Sequence, residues 1–112
     1  MKLETKELGG GVVQITLEGR LDVQGSLAID SEFAAIAETS KNLLVDLSGV
    51  SFLASLGIRM LVSAAKRLSS NNGRIVLLSP QENVETVLKA TRIDTIIPIK
   101  HSVADALAVF RI

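Results

Sequence analysis

The spacing of hydrophobic and polar residues changes several times along the chain, and it predicts five strands. Val13, Ile15 and Leu17 alternate with polar residues behind Gly9 to Gly11, which predicts the second strand of a β-hairpin. The segments NLLVDL and RIVLL contain runs of adjacent apolar residues, which are typical of strands covered on both faces. The segment TIIPIK predicts a short last strand, and its proline indicates an edge or a strand end.

Apolar residues recur at helical spacing between these strands and predict four helices. In the first helix, Ile29, Phe33 and Ala37 share one face. The predicted capping residues of the four helices are Ser26, Ser55, Ser79 and Ser102. An acid follows the last two serines after three residues, at Glu82 and Asp105, which completes the pattern of a capping box.

The predicted element order is β-β-α-β-α-β-α-β-α. Strands that alternate with helices imply right-handed crossovers and a parallel sheet. The N-terminal hairpin adds one antiparallel strand at the side of that sheet. The fold class is therefore α/β, with a mixed, mostly parallel sheet and about four helices in a single domain that spans residues 1–112.

Charge and composition exclude several classes of function. The chain has 12 basic and 12 acidic residues, so its net charge does not indicate a strongly charged partner, and nucleic acid is a poor candidate. It has no cysteine for a disulfide, a thiolate nucleophile or a zinc site. No apolar run is long enough to span a membrane and no signal peptide precedes the first strand, so we expect a cytoplasmic protein that does not insert into membranes.

The residues that could support catalysis or bind a cofactor do not form a recognisable set. Gly9 to Gly11 lack the lysine and the helix of a phosphate-binding loop and are better explained as a turn. His101 has no second histidine or cysteine with which to bind a metal, and we expect a loop residue. Asp22 and Asp46 are expected to bond nearby backbone amides in a turn and at a strand end. We expect neither a cofactor, a metal site nor enzymatic activity.

Ser55 lies between a predicted strand and the second predicted helix, in the segment SFLASLGIRMLVSAAKRL. Its hydroxyl can cap the helix by accepting a bond from an amide of the first turn. The same position also tolerates a phosphate, because the unpaired amides and the helix dipole favour negative charge there. The two interpretations, a structural cap and a modified hydroxyl, are compatible with each other.

The second helix is predicted to have a buried face and an exposed face. The inward residues are Ile58, Leu61, Val62, Ala65 and Leu68. The residues predicted to lie on the opposite face or beside it are Leu56, Arg59, Met60, Ser63, Lys66 and Arg67. Isolated exposed apolar residues are common on protein surfaces. Next to a candidate modification site, however, Leu56 and Met60 predict the centre of a docking surface for a partner.

The chain resembles the STAS family, which comprises anti-sigma factor antagonists and the cytoplasmic tails of sulfate transporters. The segment VVQITLEGRLDV is similar to the family's second strand and the Gly-x-Leu-Asp motif that follows it. The segment NLLVDLSGVSFLASLGIRML is similar to its serine-containing signature, and GRIVLLSPQENVETVLKATRIDTIIPI and SVADAL match the downstream pattern. The resemblance therefore covers nearly the whole chain.

The resemblance implies a partner switch that phosphorylation controls. Ser55 aligns with the serine that an anti-sigma factor with kinase activity phosphorylates, and a serine phosphatase reverses the modification. The unphosphorylated antagonist binds the anti-sigma factor and thereby releases the sigma factor. The residues expected to contact the partner are Asp22, Asp46, Ala54, Leu56, Gly57, Arg59, Met60 and Ser63. In this set the two aspartates lie near the phosphoacceptor, and Gly57 lets the partner's backbone approach the helix.

Two residues beside Ser55 depart from the family pattern. Ala54 stands where the family often has aspartate, and Leu56 stands where it usually has a small residue. These departures leave open a second function, a STAS subunit of a signalling scaffold or membrane transporter that does not switch. The α/β layout alone also leaves open a small nucleotide-binding or hydrolytic domain.

Overall fold

A computed structural model describes residues 1–111, which form a five-stranded sheet with helices on both faces. The strands are β1 (Lys2–Gly9), β2 (Val12–Leu21), β3 (Asn42–Leu53), β4 (Arg74–Leu78) and β5 (Ile99–Lys100). The helices are α1 (Val23–Thr39), α2 (Ser55–Ser70), α3 (Glu82–Ala90) and α4 (Val103–Phe110). A short 3₁₀ helix, Ile93–Thr95, precedes β5. The predicted element order and the α/β class are confirmed.

The strands lie side by side in the order β1-β2-β3-β4-β5. β1 pairs with β2 in the antiparallel direction, and every later neighbour pairs in parallel. Gly10 and Gly11 join β1 to β2 with φ angles of 61° and 80°, which suit a tight hairpin turn. The sheet is therefore mixed and mostly parallel, as predicted.

The core lies on both sides of the central strands. Leu43 and Val45 pack in the larger layer, which α1, α2 and α3 cover, whereas Leu44 packs in the smaller layer beneath α4. All three side chains are fully buried. The prediction that the apolar run of β3 is covered on both faces is confirmed, since neighbouring residues of a strand point to opposite sides.

α1 and α3 begin at residues other than the predicted ones. The cap of α1 is Asp22 rather than Ser26, because the Oδ1 atom of Asp22 accepts a bond of 2.8 Å from the Gly25 N–H. Ser26 lies inside the helix and is buried. α3 has Gln81 at its N-cap position, and Ser79 precedes it with a φ angle of 50° that is incompatible with the predicted start.

The last helix follows its prediction and the last strand is shorter than predicted. The Oγ atom of Ser102 accepts a bond of 3.1 Å from the Asp105 N–H and caps α4. β5 contains only Ile99 and Lys100, because the preceding residues turn through the 3₁₀ helix. Within residues 1–111, we find no helix that combines the length and the apolar character needed to cross a membrane.

Candidate functional site

The starts of α1 and α2 lie beside each other at one end of the sheet. Leu21, the last residue of β2, pairs with Leu53, the last residue of β3. Each strand leads into a helix after one residue, Asp22 in one case and Ala54 in the other. The Ala54 N–H donates to the Leu21 carbonyl at 2.9 Å, which ties the two connections together.

Ser55 is the first residue of α2 and not its cap, so that prediction is wrong. The N-cap position belongs to Ala54, whose methyl group cannot accept a hydrogen bond from the first turn. The first turn of α2 also contains no acidic residue. The side chain of Ser55 is exposed. Its hydroxyl is therefore accessible beside backbone amides that no side chain caps.

The other three helices described in residues 1–111 have an acceptor or an acid at their N-terminus. Asp22 caps α1, Ser102 caps α4, and α3 carries Glu82 and Glu85 in its first turn. Helix N-termini attract negative charge because their amides are unpaired and the helix dipole is positive there. Of the α-helices within residues 1–111, only α2 has neither a capping side chain nor an acid in its first turn. Its first residue is the exposed Ser55.

An apolar surface surrounds Ser55, and we call it the Ser55 patch. It consists of Ser55 with Val23, Leu56 and Arg59, together with Leu27, which follows Val23 after one turn of α1. A hollow of about 290 Å³ lies between the start of α1 and the first turns of α2, lined by Val23, Leu56 and Arg59 beside Ser55. Val23 and Leu27 are 59% and 63% exposed although both are apolar. This exposure makes the patch a candidate contact surface.

Sequence reasoning missed Val23 and Leu27. They stand four residues apart on α1, on a different side from the buried residues Ile29 and Phe33. The misplaced cap at Ser26 left Val23 outside the predicted helix. Asp22 three residues before Gly25 was the signal that could have located the true start, since aspartate is among the preferred capping residues.

Arg20 and Phe52 form the rim of the same end of the sheet. They are paired residues on β2 and β3, and the Arg20 guanidinium carbon lies 4.5 Å from the centre of the Phe52 ring. Arg20 also lies 3.5 Å from Asp22 through its Nε atom. The cation therefore contacts both an aromatic ring and the capping carboxylate.

The prediction that Met60 is exposed is wrong. Met60 is 6% exposed and belongs to the main core. α2 packs against both the sheet and α1, and Met60 and Ala64 lie at the contact with Phe33 and Ala37. The predicted inward residues Ile58 and Val62 are only partly buried. The buried residues of the helix are Gly57, Met60, Leu61, Ala64 and Leu68.

The predicted role of Gly57 is also wrong. A Cβ atom at this position would lie 2.9 Å from the Leu53 Cδ1 atom and 3.1 Å from the Leu21 Cβ atom. Gly57 is buried, so the absence of a side chain lets α2 approach the ends of β2 and β3. The close approach is internal, and Gly57 is not accessible to the backbone of a partner.

Asp46 lies far from Ser55, which contradicts its predicted position. It pairs with Thr16, whereas the strand ends at the pair Leu21 and Leu53. Thr16 and Leu21 are five residues apart on β2, so the two pairs lie about 17 Å apart along the strand. The Asp46 Oδ1 atom accepts a bond of 2.9 Å from the Ser48 N–H, so its role is local. Of the two aspartates, only Asp22 lies next to the Ser55 patch.

Beyond Asp46, β3 continues without β4 as a neighbour and is held by α3. The register with β2 shifts twice in this part of the strand, once before Gly49 and once before Phe52. The Gln81 side chain donates to the Ser48 carbonyl and the Asn83 side chain to the Ser51 carbonyl, both at 2.9 Å. These bonds support the segment that leads to Ser55, although β4 does not reach it.

Within residues 1–111, the remaining titratable groups do not form a reactive set. His101 lies in the turn between β5 and α4, as expected, and its Nε2 atom is 2.8 Å from the Glu85 Oε1 atom. This contact and Lys89 hold the pKa of Glu85 below its usual value. No group of three metal-binding side chains occurs in residues 1–111.

Asp22→Asn should preserve the cap of α1 and change its response to pH. The bond from Gly25 lowers the pKa of Asp22, with a smaller contribution from Arg20. Because the pKa of the Asp22 carboxyl is lower in the folded protein than in the unfolded protein, its ionised form stabilises the fold. This stability is present above the pKa of the unfolded protein, about 3.9, and is lost as the pH falls through the pKa of the folded protein. Urea unfolding at pH 7 and below pH 4 measures the free energy of unfolding at both pH values. Between them, the asparagine variant should lose less of this free energy than the unsubstituted protein. An identical acid loss in both proteins would contradict this role.

Ala54→Asp should stabilise the protein by about 1 kcal/mol, because aspartate is a strong N-cap and alanine is a poor one. The φ and ψ angles of Ala54, −113° and 176°, already have the extended form of a cap. Urea denaturation at pH 7 measures the change. Ala54→Leu is the matched control, since leucine cannot cap, and it should give no such gain. A gain with leucine would show that capping is not the cause.

An α/β domain that exposes an uncapped helix start beside an apolar patch has the features of a protein-binding module. A family model described as the STAS domain matches residues 3–106. The chain belongs to the STAS domain family, which confirms the resemblance of its motifs. In this family the anti-sigma factor antagonists act by binding and are not enzymes.

Two relatives carry the name of candidate anti-sigma factor antagonists. BtrV of Bordetella bronchiseptica is 25% identical over 112 residues, which cover 99% of this chain and 96% of that protein. The homologue of TM1081 in Thermotoga neapolitana is 37% identical over 65 residues. That match covers 58% of each protein, so it spans little more than half the length of the relative.

Solved structures share the fold over nearly the full chain. TM1081 of Thermotoga maritima, a candidate anti-sigma factor antagonist, superposes with a TM-score of 0.89 at 24% identity, and the match covers 98% of this chain and 95% of that one. The anti-sigma factor antagonist SpoIIAA in its unphosphorylated form gives a TM-score of 0.81 at 19% identity, with 98% and 96% covered. A phosphorylated form of SpoIIAA from Bacillus gives 0.74 at 18% identity, with 98% and 100% covered.

Proposed function

We propose that this protein is an anti-sigma factor antagonist whose partner choice is switched by phosphorylation of Ser55. The observation that carries the proposal is the position of Ser55 as an exposed first residue of a helix that has no capping side chain. The relatives named as candidate antagonists support the binding role. The existence of SpoIIAA in a phosphorylated form supports the modification.

A phosphate on Ser55 is compatible with the fold. The amides of the first turn of α2 have no side-chain acceptor, and the dipole of the helix favours an anion there. Arg59 stands one turn further along the helix and lines the same hollow as Ser55. The modified protein therefore keeps its structure and changes its surface, by nearly two negative charges.

The same phosphate opposes the binding of a partner to the Ser55 patch. Val23, Leu27 and Leu56 supply apolar area that a partner would cover, and a doubly charged group at their edge would have to lose its water. Each 1.4 kcal/mol lost from the interface weakens binding about tenfold. A modest electrostatic penalty is therefore enough to release the partner.

The proposed contact residues differ from the set expected from the sequence alone. Ser63 and Arg59 remain in it because they are exposed, and Ala54 and Leu56 remain because they adjoin Ser55. Asp22 remains because it directly precedes Val23 at the start of α1. Val23 and Leu27 join them. Met60 and Gly57 leave the set because they are buried, and Asp46 leaves it because it lies elsewhere on β3.

The proposed partners are an anti-sigma factor with serine kinase activity and a serine phosphatase. The kinase binds the unmodified patch, transfers the terminal phosphoryl group of ATP to the Ser55 hydroxyl and then dissociates. The phosphatase hydrolyses the phosphoserine and restores the patch. The use of ATP places this cycle in the cytoplasm, and its outcome is the release or capture of a sigma factor.

Intact-mass spectrometry after incubation with ATP and the anti-sigma kinase of the same organism tests the proposal. The protein should gain one phosphate, and Ser55→Ala should gain none. Ser51→Ala is the matched control, because Ser51 is an exposed serine in the same segment, and it should still be phosphorylated. A phosphate that persists on Ser55→Ala contradicts the proposal. Stable binding without phosphorylation would favour the STAS subunit that does not switch.

A further inference from the structure

A second surface, at the opposite end of α2, contains an unpaired edge of β4. The Leu77 N–H donates to the Pro98 carbonyl at 2.9 Å and the Ser79 N–H donates to the Lys100 carbonyl at 2.7 Å. Backbone groups of alternate residues in a strand point to the same neighbour. The N–H and carbonyl of Ile75, two residues before Leu77, therefore point to this edge as well.

The chain before β5 cannot pair with Ile75. Pro98 has no N–H with which to bond the Ile75 carbonyl. The Ile75 N–H would need the Ile96 carbonyl as its acceptor, but Ile96 has helical angles, with φ of −106° and ψ of −42°, and this bond does not form among residues 1–111. Within residues 1–111, the Ile75 backbone has no partner on this side. Buried backbone N–H and carbonyl groups are normally hydrogen-bonded in native structures.

A hollow of about 690 Å³ lies along this edge, and we call it the β4 groove. Its apolar walls are Ala65 on α2, Ile96 and Pro98 before β5, and Val109 on α4. Ile96 is 58% exposed, which is high for an isoleucine next to the core. The volume lies in the range of pockets that hold small molecules or short peptide segments.

The charges around the β4 groove have one sign. Lys66 and Arg74 line it, and no acidic side chain among residues 1–111 does. Neither cation forms an ion pair among the described residues 1–111. The Arg74 Nη1 atom donates to the Val109 carbonyl at 3.0 Å, which fastens the end of α4 as a wall of the groove. The surface therefore suits an occupant with negative charge.

We propose that the β4 groove binds an extended peptide segment of a partner protein that carries an apolar and an acidic side chain. One peptide residue pairs with the N–H and carbonyl of Ile75, as in β-strand addition. Its apolar neighbour covers Ile96, and the carboxylate approaches Lys66 and Arg74. Ala65, the first residue of α2 that lines this groove, lies about 15 Å along the helix axis from Ser55. The protein can therefore hold two partners at once.

A panel of short peptides tests the proposal by NMR titration of the ¹⁵N-labelled protein. The panel consists of acetylated tripeptide amides with Val, Ile or Leu at two positions and Glu at the third. Members that bind should shift the amide signals of Ile75, Leu77 and Ile96. N-methylation of each peptide residue in turn should weaken binding at least fivefold at one position, because it removes the donor to Ile75. Replacement of Glu by Lys should also weaken binding.

Two variants of the protein separate this site from the rest of the surface. Ile96→Asp and Lys66→Glu should each weaken peptide binding at least fivefold, because one removes apolar cover and the other reverses a charge. Val103→Asp is the control, since Val103 is 49% exposed on α4 outside the groove, and binding should be unchanged. Failure of every peptide to shift Ile75 at millimolar concentration, or equal binding by Ile96→Asp, overturns the proposal. Ser55→Asp should bind peptide normally, so failure here is distinguishable from failure of the phosphorylation switch.

Discussion

Ser55→Asp is expected to weaken binding of the proposed anti-sigma partner ten- to a hundredfold, which corresponds to about 1.4 to 2.7 kcal/mol. The substitution places a permanent carboxylate at the edge of the Ser55 patch. The fold should tolerate it, because an acid at the start of a helix is favourable and Ser55 is exposed. The loss arises when the partner removes water from the carboxylate beside Val23 and Leu56.

Isothermal titration calorimetry at a fixed salt concentration measures this effect. Ser55→Ala should bind like the unsubstituted protein, since it removes the hydroxyl without adding charge. Asn72→Asp is the matched charge control: it adds the same charge beyond the other end of α2, at a φ angle of 61° that aspartate tolerates. Equal loss of affinity in Asn72→Asp would mean that net charge, and not the position of Ser55, governs binding. Unchanged affinity in Ser55→Asp would contradict the switch.

The order of elements could be predicted because it depends on local patterns. Runs such as Leu43 to Val45 are buried on both faces only in a covered sheet, and the glycines after β1 leave little choice but a turn. Ser102 was located as a cap because the acid that follows it after three residues reinforces the pattern. These signals lie within a few residues of each other, so one sequence is enough to recognise them.

The composition of the site could be predicted only in part, because it depends on neighbours that are distant in the sequence. Helical periodicity located an apolar stripe on α2 but not the number of elements that pack on it. The contact with α1 buries Met60 and leaves Ile58 partly exposed. In the same way, nothing local shows that β3 continues past Asp46 to Leu53, since the extra length depends on pairing with β2.

Packing around the start of α1, and not intrinsic capping propensity, determines that Asp22 rather than Ser26 caps this helix. Both residue types cap helices well. Asp22 is selected because Leu21 ends its ladder with β3 at that point and Gly25 fits tightly under the end of β2. This contact has a direct consequence for stability, and alanine at Gly25 tests it.

Gly25→Ala is expected to destabilise the protein by about 3 kcal/mol, the upper end of the usual cost of overpacking. A Cβ atom at Gly25 would lie 1.9 Å from the carbonyl oxygen of Arg20, which belongs to the backbone of β2 and cannot rotate away. Helix propensity alone predicts the opposite sign, because alanine is favoured over glycine inside a helix by about 1 kcal/mol. The sign of the measured change therefore distinguishes the two effects.

Urea denaturation measures the change, and Ala35→Gly is the matched control. Ala35 is exposed on the same helix, so its replacement should cost only the propensity of about 1 kcal/mol. If Gly25→Ala is as stable as the unsubstituted protein, α1 does not begin against Arg20. If it is destabilised, the start of α1 must shift, and Asp22 and Val23 shift with it. Binding at the Ser55 patch should then weaken as well, since Val23 lines the hollow beside Ser55.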